Sequence, residues 1–211
     1  MRNVLLSSCY FGPVQWYQKL NRYEVVYIER CESFIKQTFR NRCVIATTNG
    51  LQALSIPVSY PPTEQEGEAH PIINTRISNH GNWRHIHWNA LQSAYGDSPF
   101  FDYYVDDLLP FFEKRWENLF DFNLEITYKM CELLDIHPDI RMTSTYQTTW
   151  EDSETRVDDF RAAIRPKHPL PDPDYSEKPY YQVYQQKWGF LPNLSILDLL
   201  FNMGNESILY L

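Results

Sequence analysis

Residues 4–29, VLLSSCYFGPVQWYQKLNRYEVVYIE, decide the fold class. Residues 4–8 form a short apolar, β-rich run that reaches a turn at Gly12-Pro13, after which residues 14–20 carry their apolar side chains at helical spacing. Residues 24–29 are a second strand, with Val25, Val26 and Ile28 to bury. Strand, helix, strand in that order predicts a parallel pair, because parallel strands need a crossover connection and a helix usually supplies it. Farther on, residues 42–47 and 51–58 flank Thr48-Asn49-Gly50, where Asn-Gly offers the positive φ angles of a tight hairpin. Parallel and antiparallel pairing together predict an α/β chain with a mixed β-sheet and packed helices, one domain over residues 1–211.

The remaining elements follow by punctuation. Residues 60–71, with Pro61-Pro62 and Pro71, are expected as an exposed, mobile connection, and residues 72–78 as a further strand. Asn82 is expected to cap a helix over 83–95 that Gly96 and Pro99 end. Apolar residues recur at three and four through 106–134, a long helical stretch with a break near Asp121. Residues 140–147 read as an edge strand. Residues 150–173 turn acidic and then Pro-rich, a long loop with one short helix inside a mobile stretch 150–179. Residues 194–201 have the length and apolar density of a closing helix, capped by Asn193 and stopped at Gly204.

Composition bounds the function. Hydrophobic residues at 43%, charged residues at 22% and only seven Gly exclude a disordered or collagenous chain. Aromatic residues reach 16%, enough to place rings at a surface where they serve a ligand or partner. Cys9, Cys31, Cys43 and Cys131 form no C-x-x-C pair, which fits a reducing compartment. The apolar run at the start is too short for a signal segment, and no stretch approaches the roughly 20 apolar residues of a membrane span, so the expected location is cytoplasmic. The net charge is −8, yet residues 1–50 hold seven Lys/Arg against three Asp/Glu, a local balance of +4. A basic segment on an acidic body suits a small anionic ligand better than nucleic acid, which wants a broad basic face.

Lys36-Gln37-Thr38-Phe39-Arg40-Asn41-Arg42 places three cations and two amides in seven residues. Such a run clamps phosphate or carboxylate, since Arg offers a bidentate fork and Lys a point charge. It equally fits a solvated strand edge or ion pairs with Glu29 and Glu32. His87 shares a helix face with Trp83, Leu91 and Tyr95, as a general acid or base in a pocket or as a core histidine bonded to a carbonyl. His80, His85 and His87 lack H-x-x-x-H spacing, so no metal site is expected. The Ser7–Pro13 loop follows a strand and precedes a helix, where open α/β sheets place ligands. It has no dinucleotide fingerprint or phosphate loop, and no cofactor is expected. Cys9 within it is either a nucleophile or an inert buried thiol.

Taken in order, several motifs make the chain resemble the WbqC-like family: the opening strand with Tyr10 and a proline before an aromatic helix, Arg40-Asn41-Arg42, Asn49-Gly50 with Pro57-Val58, Trp83, His87 and Tyr95, Pro99-Phe100-Phe101, and residues 194–204. Many members carry a His-Gln-Pro-Asn run before the tyrosine. This chain has Leu6-Ser7-Ser8-Cys9 there, similar to members from Bacteroidetes, so a role for that histidine does not transfer. The resemblance implies a link to surface-polysaccharide or sugar-nucleotide metabolism. With the basic run and His87 beside it, the expected activity is that of a transferase-type enzyme acting on an anionic sugar-nucleotide or acyl donor. In that reading His87 is the catalytic residue, and Lys36, Arg40, Asn41, Arg42, Tyr10 and Tyr95 bind the ligand. The alternative is a non-catalytic binding or assembly protein for a polysaccharide-biosynthesis partner.

Overall fold

A computed structural model describes residues 2–60, 70–150 and 156–211. Residues 61–69, most of the expected mobile connection 60–71, and residues 151–155, near the start of the stretch 150–179, lie outside the described residues. Strand β1 (Asn3–Ser7) is buried at every position, as a central parallel strand covered on both faces must be. Helix α1 (Val14–Arg22) returns the chain to β2 (Val25–Glu29), which pairs with β1 in parallel from Asn3–Val25 to Ser7–Glu29. The hairpin follows as β3 (Arg42–Thr47) and β4 (Gly50–Ser55), antiparallel. Its turn draws positive φ from Gly50 alone, at 98°.

Two short strands, β5 (Val58–Ser59) and β6 (Arg76–Ile77), pair antiparallel. The expected strand over 72–78 is therefore only this fragment, preceded by a 3₁₀ turn at Ile72–Asn74. Helix α2 (Trp83–Tyr95) occupies its expected span, but Asn82 is left-handed at φ 46°, ψ 38° and its side chain caps nothing. The long helical stretch is three helices, α3 (Phe101–Leu108), α4 (Pro110–Glu113) and α5 (Leu119–Leu133). Pro110 opens α4, where its missing N–H costs no hydrogen bond. The main break falls at residues 114–118 rather than near Asp121. Asn118 caps α5 by accepting from the Asp121 amide, and Asp121 sits in the first turn, where the helix dipole favours a carboxylate.

Strands β7 (Asp139–Met142) and β8 (Val157–Asp159) complete a four-stranded parallel sheet in the order β7-β2-β1-β8. Strand β8 lies where the sequence suggests only loop. The described part of that stretch is tied down, because Lys19 of α1, fully buried, pairs with Asp172 at 2.6 Å and lies 4.4 Å above the Phe160 ring. A four-residue helix, α6 (Gln185–Trp188), precedes the closing helix α7 (Ile196–Met203). Ser195, not Asn193, caps α7; Asn193 takes φ 49° and turns its amide oxygen to the Gln15 N–H, capping α1 behind Pro13, which has no acceptor side chain. Mixed pairing is thus present, shared among one parallel sheet and two small antiparallel ones, with helices packed on them. Among the described residues no helix is long and apolar enough to cross a membrane.

Gly204 ends α7 at φ 55°, and a Cβ there would stand 2.6 Å from the Phe100 ring. Gly204→Ala is expected to cost about 2–4 kcal/mol, combining left-handed backbone strain with overpacking. Gly81→Ala, at φ 75° with open space around the added carbon, is expected to cost about 1 kcal/mol. Urea unfolding of both variants decides; equal losses would remove the packing argument.

Candidate functional site

All four strands of the parallel sheet point the same way, so their carboxyl ends bring together residues far apart in sequence: Ser7 at the end of β1, Glu29 at the end of β2 with Glu32 beyond it, Thr143 after β7, and Asp159 at the end of β8 with Arg161 beyond it. Each strand end leaves polar groups without ladder partners, and here the side chains satisfy one another. Glu29 is wholly buried. One of its oxygens accepts from the Thr143 hydroxyl at 2.6 Å and the Cys31 amide at 2.8 Å, and the other from Arg161 Nη1 at 3.0 Å. Arg161 also forks onto Asp159 through Nε and Nη2, donates to the Gln147 carbonyl at 2.8 Å, and lies under the Tyr146 ring.

Beside it sits a second charged unit. Arg40 meets the Glu32 carboxylate with both Nε, at 2.9 Å, and Nη2, and Nη2 also donates to Ser7 Oγ at 2.8 Å. The Ser7 hydroxyl closes the ring by donating to Glu32 at 3.1 Å. The Arg40 and Glu32 side chains are 5% and 6% exposed, so the pair is dry. Burial raises the Glu32 carboxyl above its ordinary range, and the Arg40 charge opposes that shift. Arg40 Nη1 donates to nothing among the described residues.

The residues singled out by sequence are distributed as follows. Tyr10 and His87 meet, hydroxyl to Nδ1, at 2.9 Å, inside a core of rings that includes Trp83 and Phe122. The Tyr10 amide donates to the Phe39 carbonyl, which joins this pair to the Arg40 segment. Burial pushes the His87 imidazole down to about 4, partly opposed by the neighbouring Ser55 backbone, so the ring is neutral near pH 7. Ser55 in turn accepts from Arg42 Nε at 3.0 Å. Asn41 donates to the Ile56 carbonyl, and Lys36 is exposed. Tyr95 stands apart: it donates to Asp198, which Tyr180 and Gln182 also contact. Burial pushes that carboxyl up to about 6 against these three donors. The Cys9 thiol donates to the Ser7 carbonyl and is pushed well above its ordinary value by burial, so it carries no thiolate near neutral pH.

Three partners in the strand-end network escaped sequence reading: Thr143, Asp159 and Arg161. Arg161 follows a three-residue strand hidden in a stretch that reads as loop, and Thr143 carries no motif. The signal that finds them is positional: a polar or charged residue at or just past the carboxyl end of a parallel strand.

A family model described as the WbqC-like protein family matches residues 8–168, which include Arg40, Glu32, His87 and Arg161. A relative in Mycobacterium tuberculosis, "Uncharacterized protein Rv1507c", is 28% identical over 197 residues, covering 84% of this chain and 83% of its own. No solved structure matches.

His87 gives a pH prediction with a definite sign. Its ring titrates near 6.5 when unfolded and near 4 in the fold, so it stabilises fully above pH 6.5 and loses about 3 kcal/mol as the pH falls through 4. Unfolding free energies of His87→Gln should accordingly fall less steeply than those of the parent between pH 6.5 and 4. Parallel curves would show that the imidazole is not held neutral.

Proposed function

We propose, from the premise that the chain belongs to the WbqC-like protein family, that it is a group-transfer enzyme of surface-polysaccharide metabolism, taking an anionic sugar-nucleotide or acyl donor at the carboxyl end of its parallel sheet. The observation that carries this reading is the convergence there of two buried guanidiniums with the buried carboxylates of Glu29 and Glu32. Taking such ions out of water costs several kcal/mol each, and apolar side chains of similar volume serve a core at least as well. Ionised groups concentrated at strand ends, where open α/β sheets bind ligands, therefore favour chemistry over scaffolding.

In this reading Arg40 is the anion-binding residue, because Nη1 keeps donors for a phosphate or carboxylate while Nε and Nη2 stay on Glu32. Lys36 and Arg42 add positive potential along the approach. Glu32, raised by burial, accepts the proton of an incoming hydroxyl or amine. That acceptor atom bonds the donor's electrophilic carbon as the carbon's bond to its leaving group breaks, and the departing anion remains paired with Arg40. His87 and Tyr10 position the loop after β1, since the imidazole is buried, neutral and already bonded. Asn41 holds the Ile56 carbonyl and Tyr95 holds Asp198, so both support the site from the frame.

A second reading, a non-catalytic binding or assembly protein for a polysaccharide-biosynthesis partner, is favoured by one observation. None of the principal clefts among the described residues is lined by Arg40, Glu32, Arg161 or His87. Exposed rings such as Tyr103 and Tyr181 would then serve a partner.

Thermal unfolding with nucleoside-diphosphate sugars, CMP-linked sugars and acetyl-coenzyme A separates the two. A donor at 100 times its Kd is expected to raise stability by about 2.7 kcal/mol, a Tm shift of several degrees. Arg40→Lys, which keeps the charge but not the fork, should weaken that donor at least tenfold, and Glu32→Gln should retain binding while losing turnover. No shift with any donor class favours the second reading.

A further inference from the structure

Away from the sheet end, a cleft of about 440 Å³ opens between the start of α2 and the end of α4. Its walls carry Arg84, Arg115 and Asn79, with Trp88 and Phe112 as apolar floor and Glu113 as the one acid among the lining residues. The volume falls within the range of small-ligand sites, and an apolar floor under a few polar groups is their usual build.

The guanidiniums here differ from those of the sheet end. Arg40 and Arg161 are paired with buried carboxylates, whereas neither Arg84 nor Arg115 makes an ion pair among the described residues. Arg84 uses Nη1 on the Asn79 side chain at 2.8 Å and lies over the Trp83 ring, 4.7 Å from its centroid. That leaves Nε and Nη2 buried with no hydrogen-bond partner among the described residues. A buried charged donor without an acceptor is costly, and natural structures rarely leave one so. Burial and the nearby Arg115 charge both press the Arg84 pKa down, a strain that an anion between the two would relieve. The local backbone adds to this. With Asn82 left-handed and its side chain off the helix, no side chain caps the first-turn amides of α2, and they add partial positive charge at the same end.

We infer that this cleft is a binding site for the phosphoryl group of a small phosphorylated ligand, held between Arg84 and Arg115, with its ring or chain laid on Trp88 and Phe112. Two guanidiniums present several N–H donors from different directions, which suits a tetrahedral, multiply charged oxyanion better than a planar single carboxylate. The ring requirement follows from the floor, since bare phosphate leaves the apolar half of the cleft in water. The site is independent of Arg40 and Glu32 and does not rest on the group-transfer reading.

Isothermal titration of the full chain with inorganic pyrophosphate, glucose 1-phosphate and malonate tests it. Glucose 1-phosphate is expected to bind more tightly than malonate, and its affinity to fall with added salt. Arg115→Ala removes an exposed side chain, so its Tm should match the parent while glucose 1-phosphate affinity drops at least tenfold. Arg84→Gln, which keeps a donor toward Asn79, should lose as much. Binding that is absent at millimolar ligand, retained in Arg115→Ala, lost only in Arg40→Lys, or stronger for malonate overturns the assignment. Should Arg84→Gln fail to fold, Arg115→Ala alone decides.

Discussion

Burying a carboxylate is tolerable only when a cation and further donors come with it, and this chain buries Glu29 at the end of β2 and Glu32 just past it. Everything near the sheet's carboxyl end follows from that demand. Glu32 is met by Arg40 from the same connection and by Ser7 from the neighbouring strand. Glu29 is met by Arg161, more than a hundred residues away, and by Thr143. The ends of β1, β2, β7 and β8 must therefore all be in place before both acids are satisfied, which makes the strand ends a cooperative unit. Removing one partner would strand a charge at a cost of about 3–5 kcal/mol.

The same logic, with neutral groups, fastens the far end of the chain. Ser195 donates its amide to the Val44 carbonyl and its hydroxyl to the Phe11 carbonyl, and the Ile196 amide donates to the Gly12 carbonyl. Asn193 caps α1 while Ser195 caps α7, so the starts of two helices remote in sequence are secured by one short segment. Asp198, on α7, then gathers Tyr95, Tyr180 and Gln182. The loop after β1, which carries Ser7 and Tyr10, is thus held from below by α7 and from the side by His87 and Asn123. Function at the sheet end, if it moves that loop, must move against this frame.

The two basic regions divide along a physical line. Arginines paired with carboxylates give order and fixed geometry, with a single free edge on Arg40. Arginines without acids, Arg84 and Arg115, keep unspent hydrogen-bonding capacity and lie in a cleft. Composition and clustering in sequence point to the first group, because three cations fall within seven residues there. Residue counting does not reveal the second group, Arg84 and Arg115, which are remote in sequence and meet only where the start of α2 packs near the end of α4.

What the sequence by itself determined is what depends on neighbours along the chain. Short apolar runs, helical spacing between them and the Gly12-Pro13 break specify β1, α1 and β2; Gly50 specifies the hairpin; the spacing of Trp83, His87, Leu91 and Tyr95 specifies a buried face of α2. Tertiary structure decided what depends on partners. Whether Arg40 meets Glu32 or solvent, whether Asn193 caps the helix beside it or one far away, and whether residues 157–159 become a strand are settled by which surfaces meet. The reason is one of range. Backbone propensity and periodicity act within a turn or two of helix or a single strand, whereas a buried charge or an orphan amide accepts whatever partner the packed fold brings within hydrogen-bond reach.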